Sequence, residues 1–209
     1  MTELNLWLIL AAALIGVASP GPSTLAIAGT AMAQGKRRAL ALATGITLGS
    51  LTWSVAAAAG LSALMLANLW AVEVLRYLGA AYLLFLAFKS LRSACRPGAV
   101  KTSAVGGTTL KGAVARGLAL HLTNPKAIFF FGSLYAIGVP QGASPVMLLT
   151  VIAAVGLQSA LVFHLYAVLF SHPRIMTAYS RLRRPLEGLF AAAFGTAALK
   201  IMTARIGAP

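Results

Sequence analysis

The sequence predicts an all-α integral membrane protein. It has six transmembrane helices, arranged as two inverted three-helix repeats, and the first helix of each repeat is broken by proline. Three observations carry this reading. The 209-residue chain is 59% hydrophobic and only 10% charged, whereas soluble domains carry about 25% charged residues. Residues 4–35, 39–72 and 127–173 contain no Asp, Glu, Lys or Arg, and about 20 apolar residues suffice to span a bilayer. Finally, Ser19-Pro20-Gly21-Pro22-Ser23 and Thr123-Asn124-Pro125-Lys126 interrupt apolar runs at corresponding places in the two halves.

The first helix, about 4–34, is not a cleavable signal peptide. Glu3 precedes it without any Lys or Arg, and its apolar run is too long. The second, about 41–66, presents Gly45, Gly49, Ser50 and the run Ala56 to Ala59, a small-residue face suited to close helix approach. The third, about 72–91, has Arg76 near its start and Gly79-Ala80-Ala81 within it. The fourth, about 112–137, contains Lys126 and ends in the turn signal Gly138-Val139-Pro140-Gln141-Gly142. The fifth covers about 145–170. The sixth, about 185–204, carries Glu187 and Lys200 near its ends and Gly188 and Gly195 between them. The chain thus reads as a single transmembrane domain, 1–209. Repeat one covers about 1–96, a Gly-, Ser- and Thr-rich cytoplasmic loop about 97–111, and repeat two about 112–209.

Charge placement sets the orientation. The formal net charge is +14, with 17 Lys and Arg against Glu3, Glu73 and Glu187. Thirteen of the 17 basic residues lie in or beside the odd-numbered connections: Lys36, Arg37 and Arg38; Lys89, Arg92, Arg96, Lys101, Lys111 and Arg116; Arg174, Arg181, Arg183 and Arg184. The connections near Asn68 and Gln141 have none. By the positive-inside rule the odd-numbered loops are cytoplasmic and both termini lie outside. The counter-ions are anionic lipid headgroups, and a nucleic-acid partner is excluded by this distribution.

The two breaks are the candidate site. Proline in a helix interior removes a donor and clashes with the preceding turn, at a cost of about 3 kcal/mol. Both breaks fall near mid-membrane, where irregular backbone persists only inside protein or beside a water-filled cavity. Each break exposes a half-helix N-terminus, whose free N–H groups attract anions. Ser23 and Asn124 add short polar groups, and Lys126 adds a charge at a depth where an unpaired Lys costs about 2.5–3.5 kcal/mol. A substrate carboxylate is a partner that justifies it. The candidate substrate-binding residues are therefore Pro20, Gly21, Pro22, Ser23, Asn124, Pro125 and Lys126.

Other chemistry has little to be built from. There is no Asp, and Cys95 is the sole cysteine. This excludes a disulfide framework, a multi-Cys metal site and an intrachain dithiol relay. His121, His164 and His172 are too scattered for a metal site, so no cofactor is expected. Tyr82, Gln158, Ser159, His164 and Tyr166 read as interhelical hydrogen-bonders, and Trp53, Trp70 and Tyr77 as an interfacial belt. Glu187, three residues after Arg184, reads as one half of an intrahelical ion pair.

The ordered motifs resemble the LysE/RhtB family of amino-acid exporters along essentially the whole chain. They begin with Pro20-Gly21-Pro22, Gly35-Lys36-Arg37-Arg38-Ala39, then Gly45-Ile46 with Gly49. Leu78-Gly79-Ala80-Ala81-Tyr82-Leu83, Asn124-Pro125-Lys126-Ala127 and Phe129-Phe130-Phe131 follow, then Arg184, Gly188 and Gly195. The resemblance implies a bacterial inner-membrane secondary transporter that exports amino acids or close derivatives, driven by the proton gradient. Where that family usually has Asp or Asn after Gly-Pro, this chain has Ser23. The difference favours a neutral amino acid, homoserine lactone or threonine over lysine, and leaves proton coupling without the family's acidic group. Exposed glycine faces are compatible with a homodimer. The alternative is a membrane-embedded protein that does not transport, either a structural subunit or an enzyme with chemistry at His121 or His164.

Overall fold

A computed structural model describes residues 6–67, 69–95, 109–140 and 142–203. It is all helix among these residues, with eight helices. They are α1 (Leu6–Ala18), α2 (Pro22–Gln34), α3 (Lys36–Ala67), α4 (Leu69–Cys95), α5 (Leu110–Leu122), α6 (Pro125–Gly138), α7 (Pro145–Leu169) and α8 (Pro173–Thr203). Both expected breaks are present, each with a proline as the first residue of the helix that follows. There the missing N–H costs nothing and the fixed φ is already helical. At the first break α1 and α2 diverge by 52°.

Among the described residues, four helices are long and apolar enough to cross a membrane, or five if α1 and α2 form one span. Most of the cytoplasmic loop expected over 97–111, including Lys101, lies outside the described residues, as do Asn68, Arg96 and Gln141.

Two expected boundaries are corrected. Lys36-Arg37-Arg38 is the first turn of α3 and not a loop. Gly35, at φ 83°, ends α2, and α3 begins with the next residue. Likewise α8 starts at Pro173, not 185, so Arg174, Arg181, Arg183 and Arg184 are helical and Pro185 lies inside the helix. Pro173 is well placed to open a helix after the turn at 170–172, and a proline that also suits a start three turns later need not be one.

Contacts define how the helices run. The α1–α2 element pairs with α5–α6 in opposite directions: Ile9 meets Gly138, Gly16 meets Phe130, and Ser23 meets His121. Helices α3 and α7 are antiparallel, with Leu51 on Gly156 and Thr44 bonded to His164 at 3.1 Å. Helices α4 and α8 are antiparallel too, through Ala87 with Gly195 and Ser93 with Arg183. Two further contacts run parallel. In one, Gly45 and Gly49 of α3 meet Val114 and His121 of α5. In the other, Gln158 and Tyr166 of α7 donate to the carbonyls of Leu10 and Ala18 in α1, at 3.0 and 2.8 Å.

The glycine face of α3 brings backbones into contact. A methyl group at Gly45 would lie 2.0 Å from the Val114 carbonyl oxygen, and one at Gly117 would lie 2.2 Å from that of Leu42. Small residues are needed here because packing, not water exclusion, drives association within a bilayer. The Arg184–Glu187 pair is corrected as well. Glu187 is buried and accepts from Ser93 Oγ at 2.9 Å, while Arg184 donates to the Ala94 carbonyl. Arg184 thus occupies the C-terminal end of α4, where cations complement the helix dipole.

Gly45→Ala is expected to destabilise the protein by about 1–3 kcal/mol through overpacking, read as earlier thermal melting in detergent. Gly188→Ala, where a methyl would meet nothing beyond its own helix within 4 Å, is expected to leave melting unchanged or raise it slightly.

Candidate functional site

Breaking a helix in the membrane interior strands backbone groups at both new ends, and each stranded group must find a partner within the protein. At the end of α1 most of the partners are side chains. Ser19 N–H donates to the Ile15 carbonyl at 3.0 Å and its hydroxyl to that of Gly16 at 2.9 Å. Tyr166 takes the Ala18 carbonyl. Lys126 Nζ takes the Ser19 carbonyl at 2.8 Å and also donates to the Ser19 hydroxyl. The ammonium therefore sits at the negative end of the α1 dipole. Lys126 belongs to the opposite break, so it ties the two interruptions together.

The second tie runs the other way. Ser23, in the first turn of α2, bonds His121 Nδ1 near the end of α5 at 2.9 Å. Ser50 of α3 bonds His121 Nε2 at 3.1 Å. One nitrogen of a neutral imidazole donates and the other accepts, so both hydroxyls are satisfied in either tautomer. Asn124 Nδ2 donates to Ser23 Oγ at 3.3 Å, and Trp53 Nε1 donates to the His121 carbonyl at 3.3 Å. Trp53 is thus a partner of the break and not part of an interfacial belt. Gly49 gives His121 its space, since a methyl there would lie 2.8 Å from the histidine Cβ.

The two half-helix N-termini differ. In α6, Asn124 is the N-cap and its side chain accepts from Lys126 N–H at 3.0 Å. In α2, Gly21 is the N-cap and supplies no side-chain acceptor. The N–H groups of Ser23 and Thr24 have no acceptor within α2. Both residues line a small cavity with Gly21, Lys126, His121 and Phe130. Its volume is about 30 Å³, and a water needs about 10–15 Å³ by this measure. The cavity has room for one or two waters and not for an amino acid. Gly21 borders Lys126 closely: a methyl there would lie 3.2 Å from Nζ.

The structure brings Gly21, Ser23, Asn124 and Lys126 together around this cavity. Pro20, Pro22 and Pro125 shape the breaks and are not among the residues lining it. It adds Ser19, Ser50 and His121, which the sequence reading left out of the site. The available signal was spacing: His121 precedes Asn124 by less than one helical turn, and Ser50 follows Gly49.

The LysE type translocator family profile matches residues 14–205. The threonine efflux protein of Escherichia coli (strain K12) is 27% identical over 194 residues, covering 92% of this chain and 94% of that protein. The leucine efflux protein of Enterobacter sp. (strain 638) is 32% identical over 192 residues, covering 89% and 87%. That of Salmonella choleraesuis (strain SC-B67) is 34% identical over 135 residues, covering 63% and 62%. No solved structure matches the chain significantly.

Asn124→Ala removes the cap of α6 and is expected to cost about 0.5–2 kcal/mol. Asn124→Asp keeps a capping oxygen and is expected to restore most of that loss in the same detergent melting assay.

Proposed function

Because the chain belongs to the LysE type translocator family, we propose that it is a secondary exporter of neutral amino acids in the bacterial inner membrane. The family is one of translocators, not enzymes, and the relatives named above are threonine and leucine efflux proteins. The observation that carries the reading is the pairing of unused N–H groups at the start of α2 with the Lys126 ammonium across one cavity. An α-carboxylate satisfies both. Two of the three Nζ donors go to Ser19, which leaves one for a ligand.

The spans number six in this account, with α1–α2 and α5–α6 each forming one broken span. Antiparallel contact between α1–α2 and α5–α6, between α3 and α7, and between α4 and α8 supports inverted repeats. So does the matching pair of parallel contacts, α3 with α5 and α7 with α1. Helices related by a two-fold axis in the membrane plane run oppositely. Basic residues at the start of α3, the end of α4, the start of α5 and the first half of α8 then lie on the cytoplasmic side, with both termini outside. Alternating access rocks the repeats about the paired breaks.

Proton coupling needs a titratable group at the site, and Ser23 is not one. His121 takes that role in this account, one hydrogen bond behind Ser23. Lys126 of α6 is the charged group acting on it, while α2, α3 and α7 present Ser23, Ser50 and Phe163. Substrate and proton are taken up at neighbouring groups of one small cavity, so binding of one alters binding of the other. Outward movement of substrate then alternates with inward movement of the proton.

Two outcomes are expected in proteoliposomes loaded with labelled neutral amino acids. Lys126→Met is expected to lower efflux at least tenfold with insertion intact, and wild-type efflux by that variant contradicts the site. His121→Gln is expected to keep downhill efflux and lose its stimulation by an imposed proton gradient. Full stimulation in that variant removes His121 from the coupling.

A further inference from the structure

We infer that an apolar cavity beside the polar one receives the side chain of the exported amino acid, with Phe130 as the partition between them. The exporter then favours branched or aromatic apolar side chains over small polar ones. This rests on the export reading and names the substrate class within it.

The cavity has a volume of about 270 Å³. It lies among α1, α4, α6 and α8, with Ala12, Leu83, Leu134 and Ala197 among its walls. Its polar lining residues are Ser133 and Lys200. A cavity of about 150 Å³ lined by Leu, Ile and Phe stays dry and admits benzene, so this one has room for an isobutyl or benzyl group.

Its position ties it to the polar site. Three contacts mark the antiparallel seam of α1 and α6: Ser19 with Lys126, Gly16 with Phe130, and Ile9 with Gly138. The polar cavity occupies the first interval and the apolar cavity the second, and Phe130 borders both. The Phe130 ring lies where a side chain at residue 16 would be, since a methyl on Gly16 would lie 2.1 Å from it. Rotation of one ring joins the two spaces. Lys126 and Phe130 are four residues apart on α6, about 6 Å along the axis. That matches the reach from an amino acid's carboxylate to the end of a leucine side chain. A carboxylate on Lys126 therefore directs the side chain past Phe130. Adjacency to the charged anchor, across the shared Phe130 wall, favours this occupant over a lipid acyl chain.

A hydrophobic pocket discriminates by about 10–200-fold per methylene. Wild-type protein in proteoliposomes is therefore expected to show kcat/KM for leucine at least tenfold above that for threonine. Filling the cavity with Ala197→Phe, or with Ala12→Phe should the first fail to insert, is expected to lower that ratio at least tenfold. Leu189→Phe, on the exposed face of α8, is expected to leave the ratio as in wild type. Equal leucine and threonine transport, or a ratio that neither filling variant changes, overturns the side-chain pocket and fits an acyl chain there. If the wild type moves none of the labelled neutral amino acids, it is the export reading itself that fails.

Discussion

A helix cannot be broken inside a bilayer unless its loose ends are hydrogen-bonded by something other than water. The contacts at the two breaks serve that constraint. The carbonyls at the end of α1 are taken by Ser19, Tyr166 and Lys126, and those near the end of α5 engage Trp53. Because Lys126 begins one half-helix and Ser19 ends another, the break in one half is closed by the break in the other. The Ser23–His121 bond is the reciprocal tie. The Lys126–Ser19 and Ser23–His121 bonds join the two breaks, so contacts that close the breaks also assemble the site.

Close packing makes this cross-closure geometrically possible. Gly45 and Gly117 let α3 and α5 touch backbone to backbone, and four residues further along each helix the same seam places Gly49 against His121. A one-carbon change at these glycines moves α5, and with it the histidine. At Gly16 the missing side chain admits the Phe130 ring. Glycines that look alike in the sequence thus serve different ends: two set a helix distance, one positions an imidazole and one admits a ring.

Much of the fold was legible because membrane helices are written in local terms: apolar length, flanking charge and proline. The positions of both breaks follow from Pro20, Pro22 and Pro125 alone. Boundaries failed where charge was equated with loop. Lys36 to Arg38 and Arg174 to Arg184 are helical because long basic side chains reach water from a helix end. The site was only half legible. Lys126 and Asn124 stood out locally, but the partners that matter join residues separated by about a hundred positions, as in Ser23 with His121 and Ser19 with Lys126. His121 was marked only by its spacing, less than one helical turn before Asn124, and Trp53 was misplaced because an aromatic residue on a span reads equally well as belt or core. The difference between the two N-termini depends on Asn124 closing one and Gly21 leaving the other open.

The central claim is that the open end of α2 and the Lys126 ammonium together hold a carboxylate. The direct test is ligand-induced thermal stabilisation of the purified protein, comparing leucine with 3-methylbutylamine, which keeps the side chain and the amine but lacks the carboxylate. Leucine is expected to raise the melting temperature of the wild type and not that of Lys126→Met, and the amine is expected to raise neither. Equal stabilisation of the wild type by the amine would contradict it.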